Sequence, residues 1–296
     1  MSHNHDHTNN DGSLKFGLVL NSLYTIVEFI FGVLSGSLAL IADATHNLTD
    51  TLTLTISFVA NKVARRDSNE KNTYGFGRAT ILAALLNATI MVGVAAFIAF
   101  EAFQRLQNPS PVEGGIVAIV ASVGILVNGS IAYVLYKRKH DLNMKSAFID
   151  MAFDALSSLA AVIAGLVIYF TGIQYIDSIV AIIIALLLLY NAIKIIREAV
   201  QILLEGTPKD VDLAAITQAI VSTDGVLEVD DMHIWAIRSG YNALSCHVVI
   251  DDKLFSKSPV VVSAVKEHLR RDFNIHHVTI EVEYIKCATH DNRLSQ

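Results

Sequence analysis

Long apolar runs alternate with short polar breaks from residue 14 to residue 204 of the chain. Six runs, at roughly 14–34, 37–62, 79–105, 113–136, 146–170 and 176–203, each reach the length of about 20 residues that a helix needs to cross a bilayer core. Ser35-Gly36-Ser37, Asn108-Pro109-Ser110-Pro111 and Thr171-Gly172 divide them into pairs, as Gly and Pro usually do. From residue 207 the pattern changes to helix, strand, strand, helix, strand. Leu213, Ile216 and Ile220 space one apolar helix face, and Val261, Val262, Val265 and Leu269 another. Between 242 and 250, Leu244, Cys246, Val248 and Ile250 alternate with His247 on the opposite side. Between 277 and 285, Val278, Ile280, Val282 and Tyr284 alternate with Glu281 and Glu283. The pattern predicts an α-helical membrane domain of six transmembrane helices over 14–206. A small α/β lobe over 207–286, ferredoxin-like with αββαβ order, follows it. A flexible leader (1–13) and a short tail (287–296) flank the two.

Composition supports that division. The chain of 296 residues is 53% hydrophobic and 17% charged, against about a quarter charged in soluble domains. Net charge is −6 with both signs interspersed, so no basic surface invites nucleic acid. Cys246 and Cys287 are the two cysteines, too few for a disulfide framework or a four-thiolate zinc site. The connection 62–78 carries Lys62, Arg65, Arg66, Lys71 and Arg78, and 137–145 carries Lys137, Arg138, Lys139 and Lys145. The positive-inside rule makes both cytoplasmic, and with them both termini and the lobe. The first span lacks the short apolar core and cleavage site of a signal peptide.

Ionisable side chains within spans cost about 2.5–3.5 kcal/mol each on insertion scales and are usually functional. The second span holds His46 and Asp50, the fifth Asp150 and Asp154. Each pair is spaced i,i+4 and so shares one helical face. Two such faces turned together present one imidazole and three carboxylates, a nitrogen/oxygen set suited to zinc and tolerant of cobalt, iron, manganese or cadmium. Paired carboxylates in one span repel unless a cation neutralises them. Single intramembrane amides such as Asn21, Asn87 and Asn128 read instead as helix–helix hydrogen bonds. Asp43 and Asp177, nearer the span ends, read as water-accessible, and Glu28 as lining the path or pairing with Asn21 or Tyr24. Metal ligands shed protons on binding, and an imidazole switches near neutral pH. The same site is therefore suited to exchange metal for protons. In the lobe, Cys246 reads as core, while His247, Glu281 and Glu283 face outward and either join His233 in a candidate second metal site or form a solvated sheet face. His3, His5 and His7 read as a loose metal-gathering leader or a plain tail.

Several stretches resemble the cation diffusion facilitator family. Ser37-Leu38-Ala39-Leu40-Ile41-Ala42-Asp43 leading into His46 and Asp50 resembles its second span, and Tyr74-Gly75-Phe76-Gly77-Arg78 its entry to the third. Leu204-Glu205-Gly206-Thr207-Pro208 and Asp231-Met232-His233-Ile234-Trp235 resemble the start and first strand of its cytosolic domain. The resemblance implies a homodimer in a bacterial inner membrane that exports a divalent metal in exchange for protons. It implies a transport site at His46, Asp50, Asp150 and Asp154, with zinc or another divalent metal as cargo and no catalytic cofactor. It also implies cytosolic metal at the lobe positions. Zinc-specific members carry histidine at the first position of both spans; Asp150 makes this site harder and less zinc-exclusive. Two rivals fit less well. Neither a His-Glu-x-x-His motif nor several intramembrane histidines are present to serve an intramembrane metal enzyme. A membrane-anchored metal sensor has no need of carboxylate pairs at depth.

Overall fold

The computed structural model describes residues 8–136, 142–238, 240–251 and 256–283, with helical side chains described except at 8–19, 50, 54, 135, 142–147 and 150. Six long helices come first: α1 (Thr8–Ser35), α2 (Leu38–Ala64), α3 (Ala79–Gln107), α4 (Gly114–Tyr136), α5 (Leu142–Thr171) and α6 (Tyr175–Leu203). A short helix, α7 (Leu213–Val221), then leads into β1 (Val226–Arg238), β2 (Tyr241–Ile250), α8 (Ser258–Phe273) and β3 (Ile275–Glu283), the expected αββαβ order. The N-terminal histidines, Lys137 to Lys139, Tyr284, Cys287 and His290 lie outside the described residues.

Among the described residues, four helices are long and apolar enough to cross a membrane: α3, Gly114–Val134 of α4, Met151–Thr171 of α5, and α6. The other two of the six expected spans correspond to α1 and α2. Within the described side chains of α1 the apolar stretch is Leu20–Ser35. Helix α2 has the length, but Asp43, His46, Asn47 and its threonines interrupt the apolar run. Thr45, Thr49, Thr51, Thr53 and Thr55 each donate a side-chain hydrogen bond to the carbonyl four residues back, which satisfies their hydroxyls within the helix itself.

The chain divides into two compact units, Met1–Ile56 with Leu86–Ile195, and Ser57–Leu85 with Ile196–Gln296. In the first, Leu38 and Ala42 of α2 pack with Met91, Ala95 and Ile98 of α3 and Ala181, Ile184 and Leu188 of α6. On its other side, Leu40 packs with Val117, Val120 and Ala121 of α4 and Ala161 and Ile168 of α5. Small residues let α4 and α5 approach backbone to backbone. A Cβ at Gly165 would lie 2.6 Å from the Ala118 amide nitrogen and 2.8 Å from the Gly114 carbonyl. Outside these cores, Phe97, Phe100 and Phe103 of α3 and Leu186, Leu187 and Tyr190 of α6 are exposed, a contiguous apolar character that suits lipid rather than water.

Asp177 departs from the expectation of a water-accessible acid: it is 1% exposed. Its carboxylate accepts from the Ser37 hydroxyl at 2.5 Å and the Leu38 amide at 2.6 Å. It thus caps the N-terminus of α2 from the first turn of α6, where negative charge also meets the positive end of the helix dipole.

In the second unit β2 is central, antiparallel to β1 and parallel to β3. Leu244, Cys246, Val248 and Ile250 face a core completed by Ile216, Ile220, Val265 and Leu269, as the alternation predicts. Burial pushes the Cys246 thiol up to about 11, so it remains a neutral core group. Leu213 does not join that core but is exposed, because it is the first residue of α7, directly after the N-cap Asp212.

Candidate metal centre

Helices α2 and α5 bring His46 and Asp154 together. His46 Nε2 lies 3.5 Å from Asp154 Oδ1. That is too long for a good hydrogen bond and close to the about 3.3 Å between two donors of a tetrahedral ion with 2.0–2.1 Å bonds. Asp154 is 3% exposed, and its second oxygen, Oδ2, has no hydrogen-bond partner among the described residues. A buried carboxylate oxygen left unpaired is costly and marks a place for a cation. Asp50 and Asp150 lie four residues from His46 and Asp154 on the same two helices, and their side chains lie outside the described residues.

A second polar group sits one turn from the first. Asp43, expected to reach water, is fully buried. Ser157 Oγ donates to its Oδ1 and Ser158 Oγ to its Oδ2 at 3.2 Å, both from α5. Glu28 of α1 is also fully buried; the Tyr24 hydroxyl donates to its Oε1 at 2.8 Å, so Tyr24 rather than Asn21 is its partner. Glu28 Oε2 and both amide atoms of Asn47 and Asn128 have no hydrogen-bond partner among the described residues. Among the described residues the amide at 128 makes no interhelical hydrogen bond.

The lobe gathers its predicted residues around a bulge. Strand β1 slips register against β2 between Asp230 and His233, and Asp231 there adopts a left-handed φ of 46°. Asp tolerates that conformation better than most residues, and bulges re-aim side chains. The Asp231 carboxylate thereby sits 3.0 Å from His233 Nε2 and 3.8 Å from His247 Nε2. His247 Nε2 is 3.6 Å from Glu281, while Glu283 meets the other ring nitrogen, Nδ1, at 3.0 Å. Glu283 thus occupies the orienting position of a carboxylate–histidine pair, leaving Nε2 to face Asp231 and Glu281. Sequence alternation picks out His247, Glu281 and Glu283, and the family resemblance adds His233, but neither points to Asp231 as a ligand. The Asp230-Asp231 doublet next to His233 was its one available signal.

Comparison with known proteins agrees along nearly the whole chain. A family model described as the cation efflux transmembrane domain matches residues 14–204. A second, the cation efflux protein cytoplasmic domain, matches 208–285. The metal cation efflux system protein CzcD of Cupriavidus metallidurans is 38% identical over 291 residues, covering 98% of this chain and 92% of the relative. The cadmium, cobalt and zinc/H(+)-K(+) antiporter of Bacillus subtilis is 34% identical over 298 residues, covering 99% and 95%. The zinc transporter ZitB of Pectobacterium atrosepticum is 32% identical over 293 residues, covering 97% and 90%.

Proposed function

This chain belongs to the cation efflux, or cation diffusion facilitator, family, and from that premise we propose that it exports a divalent transition metal from the cytoplasm in exchange for protons. It is a transporter and not an enzyme. Zinc is the first cargo, with cadmium, cobalt, iron and manganese admitted by the carboxylate-rich ligand set. The observation that carries this reading is the 3.5 Å approach of His46 and Asp154 between two helices of an apolar bundle, with Asp154 Oδ2 unpaired among the described residues. Asp50 and Asp150 complete the ligand set by their spacing. Protons that must leave these four ligands when metal binds supply the exchange. Helices α1 and α2 act as spans alongside the other four, since both belong to the matched transmembrane region. The six form a multi-pass protein of the inner membrane with both termini cytoplasmic, working as a homodimer.

Everted membrane vesicles test the reading. Zinc is expected to accumulate inside them when the interior is acid, and to leak out when the pH gradient is collapsed. Zinc movement indifferent to the gradient would remove the proton exchange; no zinc movement would remove the transport reading.

We propose a second, regulatory metal site in the lobe, whose ligands close on an ion only when it binds, since no three acidic, histidine or cysteine side chains are gathered as a metal-holding group among the described residues. Asp231, His233, His247 and Glu281 offer a nitrogen/oxygen set at donor spacings of 3.0–3.8 Å, compatible with zinc, with Glu283 holding the His247 ring. A metal there would draw the bulge of β1 to β2 and β3. Asp231→Ala is expected to weaken zinc binding to the lobe by about 10–100-fold, a scale typical of lost support around a metal. Calorimetry on the full chain carrying Asp154→Asn, which silences the membrane site, reads it; unchanged affinity would exclude Asp231.

A further inference from the structure

Between α1, α2 and α5 lies a buried polar cluster that the metal ligands do not use. Its members are Glu28 and Tyr24 of α1, Asp43 and Asn47 of α2, and Ser157 and Ser158 of α5. Helix α4 makes room for it: a Cβ at Gly124 would collide with the Tyr24 hydroxyl and come within 2.8 Å of Ser158 Oγ. The carboxyls of Glu28 and Asp43 are neighbours, and both are fully buried. Two adjacent carboxylates out of contact with water repel each other and forfeit hydration, so together they require a positive charge. The facing ionisable groups are Tyr24 from α1, Asp43 from α2 and, beyond Asp43, His46 and Asp154; α4 carries no charged side chain. No lysine or arginine reaches the pair among the described residues. A further sign points to an occupant. Asn47, 1% exposed, stands beside Glu28, and among the described residues neither its amide atoms nor Glu28 Oε2 makes a hydrogen bond of good geometry.

We infer that Glu28, Asp43 and Asn47 form a second cation site, distinct from the metal ligands, that holds one monovalent counter-cation. Carboxylate and amide oxygens are hard donors that suit a proton or an alkali-metal ion better than a transition metal. Asp43 lies three residues from His46, hence on the neighbouring turn of the same helix face, about 5–6 Å away between Cβ atoms. A divalent ion at His46 and Asp154 therefore repels a monovalent one at Glu28 and Asp43. Because coupling between two binding sites is reciprocal, the counter-cation expels the metal as strongly as the metal expels it. The cluster would thus add a second counter-ion to the exchange that the ligand protons supply. The inference rests on His46 and Asp154 binding metal, as proposed above.

The test is an equilibrium titration of the detergent-solubilised full chain with zinc in weak buffer, reading affinity and proton release together. Wild type is compared with Glu28→Gln, each in potassium and in a large organic cation. If the occupant is a proton, wild type releases about one proton more per zinc than Glu28→Gln. If it is an alkali ion, wild-type zinc affinity falls as potassium rises and that of Glu28→Gln does not. Equal proton release together with equal potassium dependence would overturn the inference. Should Glu28→Gln not fold, Tyr24→Phe serves: it removes the hydrogen bond to Glu28 and keeps both charges. Its pH and potassium profiles for zinc binding are expected to shift, and profiles identical to wild type would overturn the inference. Failure of the wild type to bind zinc at all would instead defeat the transport reading.

Discussion

Asp154→Asn is expected to abolish zinc export, leaving an exporter-deficient host as zinc-sensitive as one without the protein. The carboxylate is the described member of the site that is almost wholly buried, and one of its oxygens has no hydrogen-bond partner among the described residues. An amide of the same size removes a unit of negative charge and offers only a weak carbonyl donor to the metal. Even outer-shell changes around metal sites cost about 10–100-fold in affinity, so loss of a direct ligand is expected to cost at least about 100-fold. The substitution should not harm folding, because neutralising a buried carboxylate relieves its desolvation. Protein abundance in the membrane and zinc flux in vesicles are read side by side. Normal abundance with flux near the wild-type rate would place Asp154 outside the coordination shell.

Gly165→Leu is expected to have the largest structural effect of any single change on α5. The first added atom would meet backbone at 2.6 Å, 2.8 Å and 3.1 Å from Ala118 N, Gly114 O and Ala118 Cα. Backbone cannot rotate aside as a side chain does, so α4 and α5 must separate. Overpacked cores commonly lose 1–3 kcal/mol, and parting two helix backbones should cost about 3 kcal/mol or more on the same scale. The consequence is a strongly lowered midpoint of thermal unfolding in detergent and depleted protein in the membrane. Gly129→Ala is the matched control. A Cβ there meets nothing within 4 Å, and alanine gains about 0.8–1 kcal/mol of helix propensity. Equal thermal midpoints for the two variants would mean that the α4–α5 approach is not what holds this half of the bundle.

Much of the molecule follows from local pattern. The apolar runs predict the helices because a buried or lipid-facing helix requires continuous hydrophobicity. The alternation around Cys246 predicts which face of β2 is buried because successive strand residues point to opposite sides. His46 and Asp154 were legible for a related reason: ionisable groups are so expensive in apolar spans that their presence alone marks them. His247, Glu281 and Glu283 were legible by alternation, but Asp231 was not. A β-bulge is a defect in the period, and period-based reading carries no information about where a period breaks.

Other features depend on partners far apart in sequence. Asp43 and Asp177 stand near span ends, where the chain alone predicts contact with water. Burial came instead from Ser157 and Ser158 for the first, and from the start of α2 for the second. Glu28 had two local candidates, and the choice of Tyr24 followed from the space that Gly124 leaves on α4. Sequence by itself determined which segments are apolar, which strand face is core, and which ionisable residues are too costly to be incidental, since each depends on composition within one or two turns. Tertiary structure alone decided which of those charges become neighbours, because the field at a buried carboxyl is set by side chains more than a hundred residues away along the chain and a few ångströms away in space.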